Sequence, residues 1–425
     1  MRYLKRAVVP VAVIAVVLSV MAGIWLHART PQAAAAISAG CGQWTLVPGI
    51  NPGTFNNQLF GVAAVSASNV WAVGDEGPQA GGPNSTLVEH WSGPAWNLVA
   101  SPNISNAYQN VLESIAAVSS TDVWAVGYYY DASLTETFTL TEHWNGTSWR
   151  IVSSPNVGQN GGLLSGVSAD ASNDVWAVGS YYDPSLGLDQ ALIEHWDGSS
   201  WSIVPGGATS TGNALLNGVT ALSATNAWAV GEGPNGTLIE HWDGTSWTIV
   251  ASPNSTQGGD FLESVTATGP NDIWAVGTVD IANSVQTAML AEHWDGTSWT
   301  LVPGYVDGMN SIQISAVANV PGSPQILAVG DEVVGSTPTS LVVRWNGTSW
   351  NRVQSSNQNS PINALLGVSA VSATNAWAVG EFEPTSSASP SSFTRLGRPG
   401  PKAGIPQERT LIEHYVAPRL GIMCP

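Results

Sequence analysis

Residues Glu292–Trp299 read EHWDGTSW, and the same eight residues recur from Glu240. Near copies stand at Glu89 (EHWSGPAW), Glu142 (EHWNGTSW), Glu194 (EHWDGSSW) and Val343 (VRWNGTSW), and a shortened EHY begins at Glu413. A second signature precedes each copy, a large residue before AVG: Trp71, Trp124, Trp176, Trp228, Trp274, Leu327 and Trp377. The intervals are 53, 52, 52, 46, 53 and 50 residues, so the chain consists of seven copies of one unit. Taken once, the octet suggests an active site, with acid, base and an aromatic wall for a sugar. Taken seven times, it suggests what every unit needs in order to fold.

Each unit predicts four short strands. In the fourth copy strand a is LLNGVTALS (Leu215–Ser223), strand b AWAVGE (Ala227–Glu232), strand c TLIEHW (Thr237–Trp242) and strand d SWTIV (Ser246–Val250). Asp-Gly or Asn-Gly between c and d predicts a tight type I′ hairpin, which needs positive φ at both central residues. The strands are apolar on both faces, as in four-stranded sheets stacked face to face around an axis. The fold expected is all-β, a seven-bladed β-propeller over residues 43–418. The seventh unit has no strand d of its own. QWTLVP (Gln43–Pro48) matches strand d of the other copies, so the N-terminal strand is expected to complete the last blade and close the ring.

The order W-T-I-V-P-S-P-N, V-W-A-V-G, L-I-E-H-W-D-G-T-S-W resembles the kelch repeat of galactose-oxidase-like propellers, over Gln43–Tyr415. The resemblance implies the propeller fold. Two departures limit what else it implies: the family's Gly-Gly doublet is a single glycine here (Gly231, for example), and the propeller body contains no cysteine. The family's copper chemistry uses a tyrosine crosslinked to a cysteine, so no copper site and no other cofactor is expected. The W-D pair also resembles WD40 blades, but the period is too long and the Gly-His pair is missing.

Arg2, Lys5 and Arg6 precede an uncharged apolar run, Ala7–Leu26, which reads as an export signal with its positive end in the cytoplasm. Its length suits a retained membrane anchor. Small residues in Gln32–Gly40 offer cleavage as the alternative. Either way residues 1–42 form a leader and linker, and the rest is expected outside the cytoplasm. The only cysteines, Cys41 and Cys424, flank the closing strand and the last strand c, so a disulfide across the seam is expected. The alternatives are two free thiols or a lipidated Cys41, for which ISAGC is a poor acceptor. By loop entropy so long a closure contributes at most roughly 5–6 kcal/mol.

Net charge is −18 from 30 acidic and 12 basic residues. Between Gly42 and Gly380 the only basic residues are Arg150, Arg344 and Arg352, while all but four of the acids lie there. Such a surface repels phosphate backbones, which excludes nucleic acid as a partner. A cell-envelope glycan or protein remains the expected partner.

The strand-c histidines (His90, His143, His195, His241, His293, His414) and glutamates (Glu89, Glu142, Glu194, Glu240, Glu292, Glu413) fall on separate blades. They therefore cannot converge on a metal or act as paired carboxylates, and they read as scaffold that satisfies backbone groups near a blade edge. Function is expected where the units differ, in the b–c and d–a connections of one face. Blade 2 carries Tyr128, Tyr129, Tyr130 and Asp131, blade 3 carries Tyr181, Tyr182 and Asp183, and the loop before blade 2 adds Tyr108. Together these predict a sugar-stacking or cation-binding patch; the alternative is tyrosines that pack the loops onto the rim. A rival reading is a glycan hydrolase or lyase, with Asp75, Glu76, Asp131, Asp183, Asp331 and Glu332 as its only acids, on separate blades. A third is a purely structural module. The Ser/Pro/Gly-rich insertion 383–409 and the tail 419–425 carry no core pattern, and disorder is expected for the insertion.

Overall fold

The computed structural model describes residues 42–417 except 79–81, 132, 134–135, 159–160, 208–211, 256–258, 283, 309, 359 and 385–407. The apolar run Ala7–Leu26, both cysteines, the tail and most of the insertion lie outside the described residues. Among those described, no helix is long and apolar enough to cross a membrane.

Seven antiparallel sheets of four strands each form the seven blades of a β-propeller. Within a blade the strands are lettered a to d from the central axis outward. The inner strands of successive blades contact one another all the way round, including blade 7 against blade 1. Closure is as expected. Gln43–Leu46 pairs with the last strand, Arg409–Val416, in the register Trp44↔Tyr415 and Leu46↔Glu413. Ser356 Oγ adds a hydrogen bond to Trp44 O at 2.7 Å.

The core lies between sheets, not within one. Seven buried apolar clusters each join residues of two adjacent blades. Their hub is the tryptophan before AVG. Trp124 stacks on His143 of its own blade (4.3 Å), tilts against Trp196 of the next (4.8 Å) and meets Trp201 edge-on (5.3 Å, 87°). Trp71, Trp176, Trp228, Trp274 and Trp377 build the same cage. Three indoles fill the gap that widens away from the axis at six interfaces, which is why the motif carries two tryptophans; between blades 6 and 7 Leu327, Tyr415 and Trp44 take their places.

The glycine of AVG has a different cause. Strand a bulges between Leu216 and Gly218, and there strand b approaches it closely. A Cβ on Gly231 would lie 1.9 Å from Leu215 O. Gly231→Ala is therefore expected to cost about 1–3 kcal/mol through forced backbone movement, seen as a lower urea midpoint.

The c–d turn corrects the expected two-residue type I′ hairpin. Strands c and d of blade 4 pair at Trp242↔Trp247, so four residues intervene. Asp243 Oδ1 accepts from Thr245 N (2.8 Å), Thr245 Oγ1 (2.6 Å) and Ser246 N (3.0 Å), while Gly244 takes φ 94°. The Asp side chain organises the turn, so a single positive-φ glycine suffices.

Candidate functional site

In each antiparallel blade the b–c and d–a connections leave at one end, and this face carries the variable segments. Strand b of blade 2 (Asp122–Asp131) extends past its glycine and pairs Tyr129↔Phe138 and Tyr130↔Thr137. Tyr129 stacks on Phe138 (5.4 Å) and packs into the cluster shared with blade 1. Tyr128 and Tyr130 alternate to the other side of the sheet, towards blade 3. Tyr181, on strand b of blade 3 (Asp174–Asp183), packs with Trp124 and Val126 in the blade 2/blade 3 cluster. Tyr108 is exposed (38%), and its N–H donates to Tyr130 O at 2.8 Å; Tyr182 is 44% exposed.

The two aspartates are occupied by their own loops. Asp131 Oδ1 accepts from Ser133 N (2.9 Å) and Oγ (2.6 Å), and Asp183 Oδ1 accepts likewise from Ser185 N (2.8 Å) and Oγ (2.6 Å). The Ser185 hydroxyl and then its N–H hold the Asp183 carboxyl below the usual range.

Nearer the axis Asp75, named from sequence as a candidate acid, has partners the sequence reading missed, Glu113 and Glu381. Asp75, directly after the AVG glycine of blade 1, is buried and accepts from Asn84 and Asn56. Burial, then Glu113 and Glu381, push its carboxyl up to about 7 against the pull of the Asn84 bond. Gln58 donates to Glu381, and desolvation, then Glu113 and Asp75, push the hydroxyl of half-buried Tyr128 up. Acids of blades 7, 1 and 2 therefore do come together, although the candidates named from sequence stood on separate blades. The available signal was variation at two fixed positions. The residue after the AVG glycine is Asp75, Tyr128, Ser180, Glu232, Thr278, Asp331 or Glu381, and Glu113 and Glu263 occupy the bulge of strand a. Glu232 and Glu263 repeat the pairing on blades 4 and 5. Glu76 is raised by burial, and Glu332 is engaged by Arg352, which also reaches Asp307 (3.4 Å).

The strand-c residues are scaffold, but not at a blade edge. Each histidine Nε2 from His90 to His293 meets the Asp or Asn that opens strand b of its own blade, at 2.7–3.1 Å. The glutamates are fully buried between blades and bind the connection arriving from the preceding blade. Ser101 Oγ donates to Glu142 (2.5 Å), Gly207 N to Glu240 (2.8 Å) and Ser252 Oγ to Glu292 (2.7 Å). The Ser-Pro-Asn sequence of that connection also holds its own blade: Asn103 accepts from Thr86 N (2.9 Å) and Asn156 from Thr139 N (3.0 Å). Among the described residues no group of three or more His, Cys, Asp or Glu is placed to hold a metal ion.

No protein-family model matches the chain, and no curated protein matches it in sequence. Solved structures do match in fold. A structure of U3-55K is similar at TM-score 0.52 and 11% identity, covering 88% of this chain and 98% of that one. A structure of YCF48 bound to D1 peptide matches at 0.50, 11%, 88% and 97%. One of RRP9 WD40 repeats matches at 0.50, 11%, 88% and 98%. These neighbours are of WD40 and YCF48 type, not specifically kelch-like, and at such identity they share the propeller fold alone.

Proposed function

We propose that the propeller is a binding module that takes a protein or peptide partner on the b–c/d–a face, outside the cytoplasm at the cell envelope. The carrying observation is the aromatic rim of blades 2 and 3. Tyr108 and Tyr182 are exposed, and Tyr181 packs at the blade 2/blade 3 interface. Exposed tyrosine gives large contact area at low entropic cost. The YCF48 propeller, bound to a peptide in its structure, provides a precedent for the fold. The repeat order still favours a kelch-like origin, and the export segment with Cys41 and Cys424 favours an extracytoplasmic site.

A peptide array probed with the purified protein, alongside a panel of cell-wall glycans, tests this reading. Tyr108→Ala with Tyr182→Ala is expected to weaken peptide binding at least tenfold and leave the melting temperature unchanged. Binding to glycans alone replaces the protein partner with a sugar, and binding that survives both changes removes the rim. A second reading, a glycan hydrolase or lyase, rests on Asp75 and its neighbours Glu113 and Glu381. It predicts turnover of a wall glycan that Asp75→Asn abolishes.

A further inference from the structure

We infer that the six strand-c glutamates act as a proton-operated latch, fastening the connections of the binding face in acid and releasing them as the medium becomes alkaline. The geometry repeats around the ring. Each glutamate is at most 1% exposed and sits where one blade meets the connection leaving its predecessor. Ile50 N reaches Glu89 (3.1 Å) and Ser356 N reaches Glu413 (3.1 Å). With Ser101, Gly207 and Ser252, five of the seven connections are held by a hydrogen bond in this way. At the sixth, Ser154 lies beside Glu194, whose two carboxyl oxygens are buried without a hydrogen bond.

A neutral carboxyl suits this position and a carboxylate does not. Glu142 Oε1 and Glu292 Oε1 are buried with no hydrogen-bond partner, a tolerable state for a neutral acid and a costly one for an anion. Among the described residues no recorded ion pair reaches any of the six. The one charged group acting on any of them is Asp260, at Glu292, and it opposes ionisation further. Burial holds Glu89, Glu142 and Glu194 up to about 8 and Glu292 and Glu413 up to about 7, and raises Glu240. A deprotonated glutamate recovers its hydration by opening the crevice, and what opens with it is the connection it held.

Blade 6 is an internal control. Val343 replaces the glutamate there, and the incoming connection is held instead by Arg352 on Asp307 and Glu332. That contact strengthens when the carboxylates ionise. Hydrogen exchange of the full-length protein at pH 6 and pH 9, corrected for intrinsic rates, separates the two cases. Protection is expected to fall at least tenfold around Ser101 and Ser154 and to hold within twofold around Tyr305–Asp307. Glu142→Gln is expected to remove the pH response around Ser101 alone. Equal loss at all seven connections, or the same loss in the glutamine variant, overturns the latch. If the variant does not fold, the comparison with the Val343 interface decides the matter on wild-type protein. The inference concerns the connections and holds whatever the face binds.

Discussion

Raising the pH from 6.5 to 9 is expected to lower the melting temperature steeply. The six buried glutamates have proton affinities raised by burial, to about 7–8 in five of them, against about 4.5 unfolded. A group raised on folding contributes fully below its unfolded value and loses that contribution as pH passes its folded value. For Glu142 or Glu194 about 2 kcal/mol of that loss falls above pH 6.5, the rest between about 4.5 and 6.5, and the six need not add. Histidine pulls the other way at lower pH. Burial depresses His90, His241 and His414, the last to about 4, so their contribution falls as pH drops below 6.5. Above 6.5 those rings are neutral in both states and the glutamates act unopposed; between about 4.5 and 6.5 six glutamates outweigh three histidines, which puts the optimum near the unfolded glutamate value of about 4.5. Glutamine keeps the acceptor and removes the titration. Glu142→Gln with Glu194→Gln should therefore flatten the slope and raise the melting temperature at pH 9. A flat wild-type profile between pH 6 and 9 would sink the assignment.

Opening the seam should be as damaging. Trp44 is 2% exposed and packs on Tyr415 (5.6 Å) within the cluster of Leu327, Val329 and Val342. Trp44→Ala is expected to cost about 3–5 kcal/mol, read from the urea midpoint. Removing Gln43–Leu46 altogether leaves Arg409–Val416 as an unpaired apolar edge, and aggregation is expected in size-exclusion chromatography. The proposed Cys41–Cys424 clasp acts at the same place, since Gly42 lies against Tyr415 and Ala417. Non-reducing mass mapping should recover the two cysteines in one crosslinked peptide, and reduction should lower the melting temperature. Two free thiols in that map would remove the clasp.

The ring was legible because identical demands leave identical residues. Seven interfaces each need large side chains between sheets and a glycine where strands a and b nearly touch, so Trp and AVG recur at a readable period. The displaced strand QWTL was legible for the same reason, as the one copy missing from the end. The glutamates show where repetition misleads. Sequence placed them in six of the seven blades and so made them scaffold, but their burial against the neighbouring connection depends on how two blades stack.

The channel-side acids show the converse. Glu113 and Glu381 are 38 and 306 residues from Asp75 along the chain; stacking of blade 2 on blade 1 brings up the first, and ring closure brings blade 7 and the second. The tyrosines of blades 2 and 3 divide in a similar way. Their presence and their face follow from the pattern of strands. That Tyr129 and Tyr181 turn inward, while Tyr108 and Tyr182 stay open, depends on side-chain alternation against blades they adjoin only in the closed ring. Local periodicity specifies strands and turns because each residue's own backbone carries it. Which side chains meet, and which carboxyl groups lose their water, depends on the distance between chain segments, and that exists only once the seven blades have packed.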